Sequence, residues 1–429
     1  MAQVAGLIKL LGELEEQLVT CMRCGLCQGV CPVYAETGRE TLVARGKIAL
    51  LEGLAQELIR DPETVRERLT TCLLCGACEA NCPTGVKSQD IFLKARAILT
   101  GYLGLGPVKR VIFRGALARP RLFKSLLRLA AAFQGVLTAP VNDILGSSCA
   151  RFLSPLGDRH FPRLADKSLL RQVGAMDTAA GSSGLKVALF PGCMVDAVFP
   201  DVGLAALKVL THHGVGVYLA DTLACCGIPA LSSGDRPTFD HLVAINLGIL
   251  GEQDVDALIT PCATCTAVIK KIWPAMTADY PARKKAQVAA LAAKTMDINA
   301  FLVDRLGLTP PPTPGDGTIK VTIHDPCHLK KTLGVAAQPR TLIRMNPKYA
   351  LTEMAESDAC CGCGGSFALE HYDLSAKIGR RKRDNIAASG AEVVAAGCPA
   401  CMLQIMDALS HQGDRIRIKH PVEIYAESL

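Results

Sequence analysis

Cys21-Met22-Arg23-Cys24-Gly25-Leu26-Cys27-Gln28-Gly29-Val30-Cys31-Pro32 spells C-x-x-C-x-x-C-x-x-x-C-P. The same spelling returns at Cys72, Cys75, Cys78 and Cys82, followed by Pro83. Three thiols on one tight loop can take three corners of a metal–sulfur cube, while the proline helps turn the fourth toward another site. Gly25 and Gly76 follow the second cysteine of each run, where a close backbone approach suits a residue without a side chain. Zinc sites more often pair two Cys-x-x-Cys units than end four cysteines on Cys-Pro.

Each run is that of bacterial ferredoxins, which hold [4Fe–4S] clusters. In two-cluster ferredoxins the fourth cysteine of a run serves the other cluster. The resemblance therefore implies one cluster on Cys21, Cys24, Cys27 and Cys82, and a second on Cys72, Cys75, Cys78 and Cys31. Between the runs, from about Glu40 to Thr70, the chain reads as helical, with Ile48, Leu50, Leu51, Leu54, Leu58 and Ile59 at helical spacing. Such an insertion resembles the variant found in respiratory iron–sulfur subunits.

The whole chain has 429 residues, enough for two or three domains, and 20 cysteines. In a reducing compartment so many cysteines point to metal or redox chemistry rather than a disulfide framework. The net charge of +7 is too small and dispersed to argue for nucleic acid, and is compatible with an anionic membrane face or an acidic partner. Leu7, Leu10, Leu11, Leu14 and Leu18 alternate with Glu13, Glu15 and Glu16, an acidic amphipathic start unlike a secretory leader. No stretch reaches the roughly 20 apolar residues of a membrane span. A cytoplasmic location is expected, with peripheral contact at the cytoplasmic face of the inner membrane as a variant.

The C-terminal half contains an internal repeat. Its first copy runs Cys193, Cys225-Cys226-Gly227, then Cys262-x-x-Cys265; its second runs Cys327, Cys360-Cys361-Gly362, then Cys398-x-x-Cys401. The intervals are 31 and 35 residues in the first copy and 32 and 36 in the second. Val187 to Phe190, Ala257 to Thr260, Val321 to Ile323 and Val393 to Ala396 read as buried strands ending just before cysteines. Helical patterns follow in Thr266 to Ile272 and Met402 to Leu409. Strand–cysteine–helix units suggest an open α/β layer with thiols at the carboxyl ends of the strands. Helix N-termini there favour thiolates by roughly 0.3–1 kcal/mol per exposed site.

This order of cysteines resembles the CCG module of heterodisulfide reductases and their relatives. Two ferredoxin runs followed by two CCG modules are similar to the iron–sulfur subunits of glycolate oxidase and D-lactate dehydrogenases, and also of anaerobic glycerol-3-phosphate dehydrogenase. The resemblance covers nearly the whole chain except about Gly101 to Gly184. The fold it implies is α+β: a helical two-cluster domain (1–100), a basic helical linker (101–184), and two α/β CCG modules (185–309 and 316–429). It also implies a non-cubane [4Fe–4S] cluster on Cys193, Cys225, Cys226, Cys262 and Cys265, and another on Cys327, Cys360, Cys361, Cys398 and Cys401. The alternative is that these thiols pack without metal.

No G-x-G-x-x-G fingerprint after a strand and no Walker loop occurs, so flavin is expected on a separate FAD-binding subunit. The expected function is electron transfer from such a flavoprotein, oxidising glycolate or (R)-lactate, to a quinone or other acceptor, with no catalytic residue on this chain. Disulfide reduction of the heterodisulfide-reductase kind is the alternative, and the glycerol-3-phosphate system another.

Lesser features remain. Cys363 adds a sixth thiol to the second module as ligand, resolving thiol or bystander, and Cys149 stands alone. His324 and His328 flank Cys327, and His212-His213 precede Gly214; ordinary capping or surface roles are expected. Lys109 to Gln134 is basic and amphipathic, expected as a helix packed on the body with solvated charges, the alternative being a membrane or partner contact. Pro310 to Gly315 reads as a boundary between the modules.

Overall fold

The computed structural model describes residues 7, 10–12, 14–151, 158–310 and 317–429. Glu13 and the proline run from 311 to 315 fall outside them. The chain forms two compact units that do not follow chain order. Unit one comprises Met1–Ala118, Gly227–Leu242 and Gly362–Ile378; unit two comprises Arg119–Cys226, Val243–Cys361 and Gly379–Leu429.

Unit one is helical among the described residues. Leu7, Leu11, Leu14 and Leu18 are buried, as their spacing requires, while Leu10 faces solvent. The interval between the cysteine runs is two helices, Ala44–Ala55 and Pro62–Thr70. Asp61 separates them: its carboxylate accepts from the Thr64 N–H, and Pro62 takes the first helical position, where no N–H is needed. Ile48, Leu51 and Leu54 are buried on the first helix, but Leu58 lies beyond its end and is exposed.

Helix Ser88–Leu103 is the spine of this unit, burying Ile91, Phe92, Leu93, Ala95 and Leu99. From the same helix Arg96 is buried, donating to the carbonyls of Leu69 (2.6 Å), Cys72 (2.9 Å) and Ser232 (2.7 Å). One guanidinium thus ties the end of Pro62–Thr70, the first cysteine of the second run and the segment Gly227–Leu242. Close packing enforces glycine at 234, whose φ is +83° and whose added Cβ would lie 2.1 Å from Thr100 Oγ1. Arg114 completes the anchorage by pairing with buried Asp235 at 2.9 Å.

Unit two opens with helix Pro120–Leu137 and a three-stranded antiparallel sheet, β1 (Thr138–Asn142), β2 (Ser147–Ala150) and β3 (Phe161–Pro162). The interval expected to be a helical linker therefore also contains strands. The helix is held by Lys124, which donates to the Asp221 carbonyl, and by Gln134, which exchanges hydrogen bonds with Leu164. Its apolar residues Leu122, Leu126, Leu129, Phe133, Val136 and Leu137 are exposed instead of packed on the body.

Two parallel sheets follow. The first contains β4 (Met176–Asp177), β5 (Lys186–Leu189), β6 (Gly216–Leu219), β7 (Ala257–Thr260) and β8 (Thr295–Asp297), in the order β4-β6-β5-β7-β8, with only β4 antiparallel. The second contains β9 (Ile319–His324), β10 (Tyr349–Leu351), β11 (Val393–Ala396) and β12 (Arg417–Lys419), in the order β10-β9-β11-β12. Strands β7 and β11 are buried throughout, the mark of parallel strands covered on both faces. In each sheet the chain leaves the first central strand to one side and returns on the other. The reversal opens a crevice at the carboxyl ends of β5 and β7, and likewise of β9 and β11.

Among the described residues no single helix is long and apolar enough to cross a membrane. Ser88–Leu103 with Pro107–Leu117 meets the test only as a pair bent by 107°, and the first member is a core helix of unit one. Arg96→Met should destabilise the protein by about 3–5 kcal/mol, since it orphans buried carbonyls and removes charge-assisted bonds. Denaturant unfolding monitored by circular dichroism measures this, and a change below 1 kcal/mol contradicts the anchoring role of Arg96.

Candidate metal centres

The two N-terminal runs fold alike. Gly25 and Gly76 take left-handed conformations (φ +90° and +69°) and launch the short helices Leu26–Gly29 and Ala77–Ala80. Within each first Cys-x-x-Cys the residue before the second cysteine, Arg23 or Leu74, is also left-handed. Its carbonyl is clamped from a neighbouring helix, Arg23 by Arg45 Nη1 (3.2 Å) and Leu74 by Gln89 Nε2 (2.6 Å). Cys31 caps Pro32–Thr37, with Pro32 at the first helical position, so the fourth thiol leaves the loop of the first three.

Two cavities result. One, of about 400 Å³, is lined by Cys21, Cys24, Cys27 and Cys82, with Cys78 also at its wall. The other, of about 460 Å³, is lined by Cys31, Cys72, Cys75 and Cys78. The fourth cysteine of each run thus faces the cavity of the other run. Four thiolate donors around each cavity are the donor set that a [4Fe–4S] cluster requires.

The surroundings act on these thiols in opposite directions. Burial raises the Cys27 thiol, and pushes that of Cys31 up to about 11. Burial opposes ionisation at Cys82 too, but the Thr84 hydroxyl and backbone N–H groups outweigh it and hold this thiol below its usual range. Lys47 is buried, donates to the Leu42 carbonyl and lines the second cavity, where the thiols of Cys31, Cys72 and Cys78 partly offset the cost of burying its ammonium. Ser88 Oγ lies 3.0 Å from Cys78 Sγ, and the Leu74 N–H reaches Cys72 Sγ at 3.5 Å. Sequence reasoning missed Lys47, Arg96, Arg45 and Gln89. The available signal was Lys47, a charged residue in helical register with Leu51 and Leu54 on a face that must be buried.

In unit two the cysteines gather where the strands end. Cys193 and Cys225 have their sulfurs 4.0 Å apart. The doublet is fixed through its backbone: Asn246 donates to the Cys225 carbonyl (3.1 Å) and Trp273 Nε1 to that of Cys226 (2.9 Å). Three thiols from each module then form one continuous series. Cys226 meets Cys265, Cys265 meets Cys262, Cys262 meets Cys398, Cys398 meets Cys401, and Cys401 meets Cys361. Backbone joins the modules at the same place, the Ala263 N–H donating to the Gly397 carbonyl at 3.2 Å. Thr264 Oγ1 lies 3.3 Å from Cys398 Sγ and 3.1 Å from His328 Nδ1.

Within this series the Cys398 thiol is held well below the usual thiol range by hydrogen bonds from Cys262, Cys401 and Thr264. Cys193 rises well above it because of its hydrogen bond with Cys225 and burial, and Cys401 because of Cys361, Cys398 and burial. Lys382 donates to the Glu356 and Ser357 carbonyls; burial lowers its pKa, against the pull of the Cys361, Cys360 and Cys401 thiols. His324, at the end of β9, is buried, and one of its ring nitrogens lies within 4.8 Å of the Cys361 and Cys401 sulfurs. It is no surface or capping group.

The remaining thiols separate from these sets. Cys363 is buried in unit one, in the glycine loop where Gly364 packs against Leu73, next to Cys72. Cys149 is half-buried on β2. His213 hydrogen-bonds Tyr425 Oη at 2.8 Å.

Comparison with known proteins accords with these features. Residues 17–86 match the 4Fe-4S dicluster domain family, and residues 187–270 and 321–406 each match the cysteine-rich (CCG) domain family. The chain is 28% identical to the probable glycolate oxidase iron-sulfur subunit of Bacillus subtilis, over 96% of this chain and 94% of that one. It is 29% identical to a fumarate reductase (CoM/CoB) subunit from Methanothermobacter marburgensis, over 93% and 69%. It is 31% identical to lactate utilization protein A of an Exiguobacterium species, over 57% of this chain and 98% of that one.

If each fourth cysteine serves the opposite cavity, Cys31→Ser and Lys47→Met should disturb the same one of two cluster signals in the electron paramagnetic resonance spectrum, and Cys82→Ser the other. Lys47→Met should also lower the midpoint potential of its cluster, because a buried positive charge favours the added electron. Cys31→Ser and Cys82→Ser disturbing one and the same signal contradicts the crossed arrangement.

Proposed function

Because the chain belongs to the cysteine-rich-domain family of iron–sulfur electron-transfer proteins, in the group that carries a 4Fe-4S dicluster domain and includes the glycolate oxidase iron-sulfur subunit, we propose that it is the electron-transfer subunit of a flavin-dependent 2-hydroxy-acid dehydrogenase. The observation that carries this is similarity to that subunit along almost the full length of both chains, in a chain that runs from a dicluster domain to two cysteine-rich domains. The substrate is glycolate or (R)-lactate, oxidised on a separate FAD-binding subunit, with a quinone or another acceptor taking the electrons.

Bound clusters supply one-electron redox chemistry. Cys21, Cys24, Cys27 and Cys82 would hold one and Cys72, Cys75, Cys78 and Cys31 the other, and the ten cysteines of the two modules would hold the non-cubane clusters. Around them the chain supplies compensating charge. Lys47 lies beside the dicluster thiols and Lys382 beside those of the second module. Helix Pro120–Leu137 offers Leu126, Leu129 and Phe133 beside Arg121 and Arg128 to an anionic membrane face, and contains no acidic residue.

A second reading, cleavage of a disulfide to two thiols with two electrons and two protons, draws on the complete cysteine sets and their continuous contact. Anaerobic thiol release from added disulfides, abolished by Cys225→Ser and Cys360→Ser, would favour it.

The native complex, isolated anaerobically, should contain a flavoprotein, and glycolate or (R)-lactate should bleach the cluster absorbance only when that flavoprotein is present. Isolation without a flavoprotein, and no hydroxy-acid oxidation on mixing, contradict the proposal. Full-length protein should sediment with vesicles containing phosphatidylglycerol but not with phosphatidylcholine vesicles, and Leu126→Asp with Phe133→Asp should release it.

A further inference from the structure

The two cysteine-rich modules are alike in spacing but unequal in one buried residue. Three positions before the first cysteine of the module stands Phe190 in the first copy and His324 in the second. Both are buried at the end of the central strand. A phenyl ring offers a metal nothing. An imidazole offers a nitrogen, and here the surroundings dictate which one.

His324 Nδ1 lies 3.2 Å from the carbonyl oxygen of Ser357. A carbonyl can only accept, so the proton of the neutral ring sits on Nδ1. That leaves Nε2 as a bare lone pair, and Nε2 is buried with no hydrogen-bond partner. A buried acceptor without a partner is costly. One nitrogen of the ring lies where two further soft donors converge, the sulfurs of Cys361 and Cys401, all three ligand atoms being within 4.8 Å of one another; with the proton on Nδ1, only Nε2 of this ring has a lone pair to give a metal. Metal-bound histidines characteristically give their second ring N–H to a backbone carbonyl, which fixes tautomer and orientation.

The ring is rigidly mounted. Asp325, the next residue, is held by Arg340 (2.7 and 3.0 Å) and by the Ser357 hydroxyl (3.0 Å), and its own N–H donates to the Ser357 carbonyl (2.9 Å). His420, the other buried histidine near Cys398, shows the opposite tautomer. Its Nδ1 accepts from the Val422 N–H, so its Nε2 carries the proton and cannot ligate. Burial alone therefore does not produce the His324 arrangement.

We propose that His324 Nε2 is a metal ligand, which gives the second cysteine-rich module a mixed imidazole–thiolate centre with Cys361 and Cys401 that the first module cannot form. The donor set is borderline-soft and suits iron of a cluster or a zinc ion. This inference rests on the reading of the modules as metal sites, but not on the identity of the flavoprotein or its substrate.

The test uses the full chain purified anaerobically, with iron, zinc and acid-labile sulfide measured per chain and the metal K-edge X-ray absorption recorded. His324→Phe, which copies the first module, should lose the metal of the second module: about four irons if a cluster is there, about one zinc if a single ion is. His324→Cys should retain it, with the nitrogen scattering replaced by sulfur, a rescue that a merely structural histidine would not show. Circular dichroism and the N-terminal cluster signals should be unchanged in both variants. Full metal content with an unaltered absorption spectrum in His324→Phe overturns the proposal. So does a parent chain holding only the eight irons of the dicluster domain and no zinc.

Discussion

The contact between Cys262 and Cys398 is the constraint around which unit two is built. Each cysteine caps a helix at the end of a buried parallel strand, and the two caps meet with a backbone hydrogen bond beside them. The buried Cys398 sulfur has three hydrogen-bond partners, two of them other cysteines. The duplicated module is thereby turned from two separate thiol pockets into one connected series. Metal taken up by either module is then placed next to a partner of the same chemistry.

Unit one meets a different version of the same difficulty. Its eight cysteines need compensating charge, and the helices supply it from within: Lys47 beside the second cavity and Arg96 on the Cys72 carbonyl. Both cations are buried and bound to carbonyl oxygens, so their charge is not cancelled by a carboxylate in those contacts. Left-handed Arg23 and Leu74, each clamped by a long polar side chain, hold the loops open at the right curvature.

Much of this was legible from the chain itself. The doubled run ending in Cys-Pro announced the dicluster domain, and the apolar runs Ala257 to Thr260 and Val393 to Ala396 announced parallel strands because such strands are buried on both faces. What could not be read were roles assigned by tertiary contact. Leu58 kept the helical spacing but fell beyond a helix that ends at Ala55, where Glu57 turns left-handed (φ +59°). Leu126 and Phe133 looked like a packing face and are exposed. His324 looked like a surface or capping histidine, since nothing in its neighbours reveals which nitrogen the Ser357 carbonyl will claim. The segments Gly227–Leu242 and Gly362–Ile378 belong to unit one, an allegiance no local pattern records.

That last feature bears on how the protein comes into being. As the chain emerges during synthesis, the dicluster region cannot complete its own fold when its cysteines appear, because the residues that anchor Arg96 and pack on Leu73 are made far later. Cys262 likewise waits for Cys398. Completion of unit one is thus tied to the far end of the polypeptide, and a product truncated before residue 362 would leave Leu73, beside Cys72, without the glycine loop that packs on it.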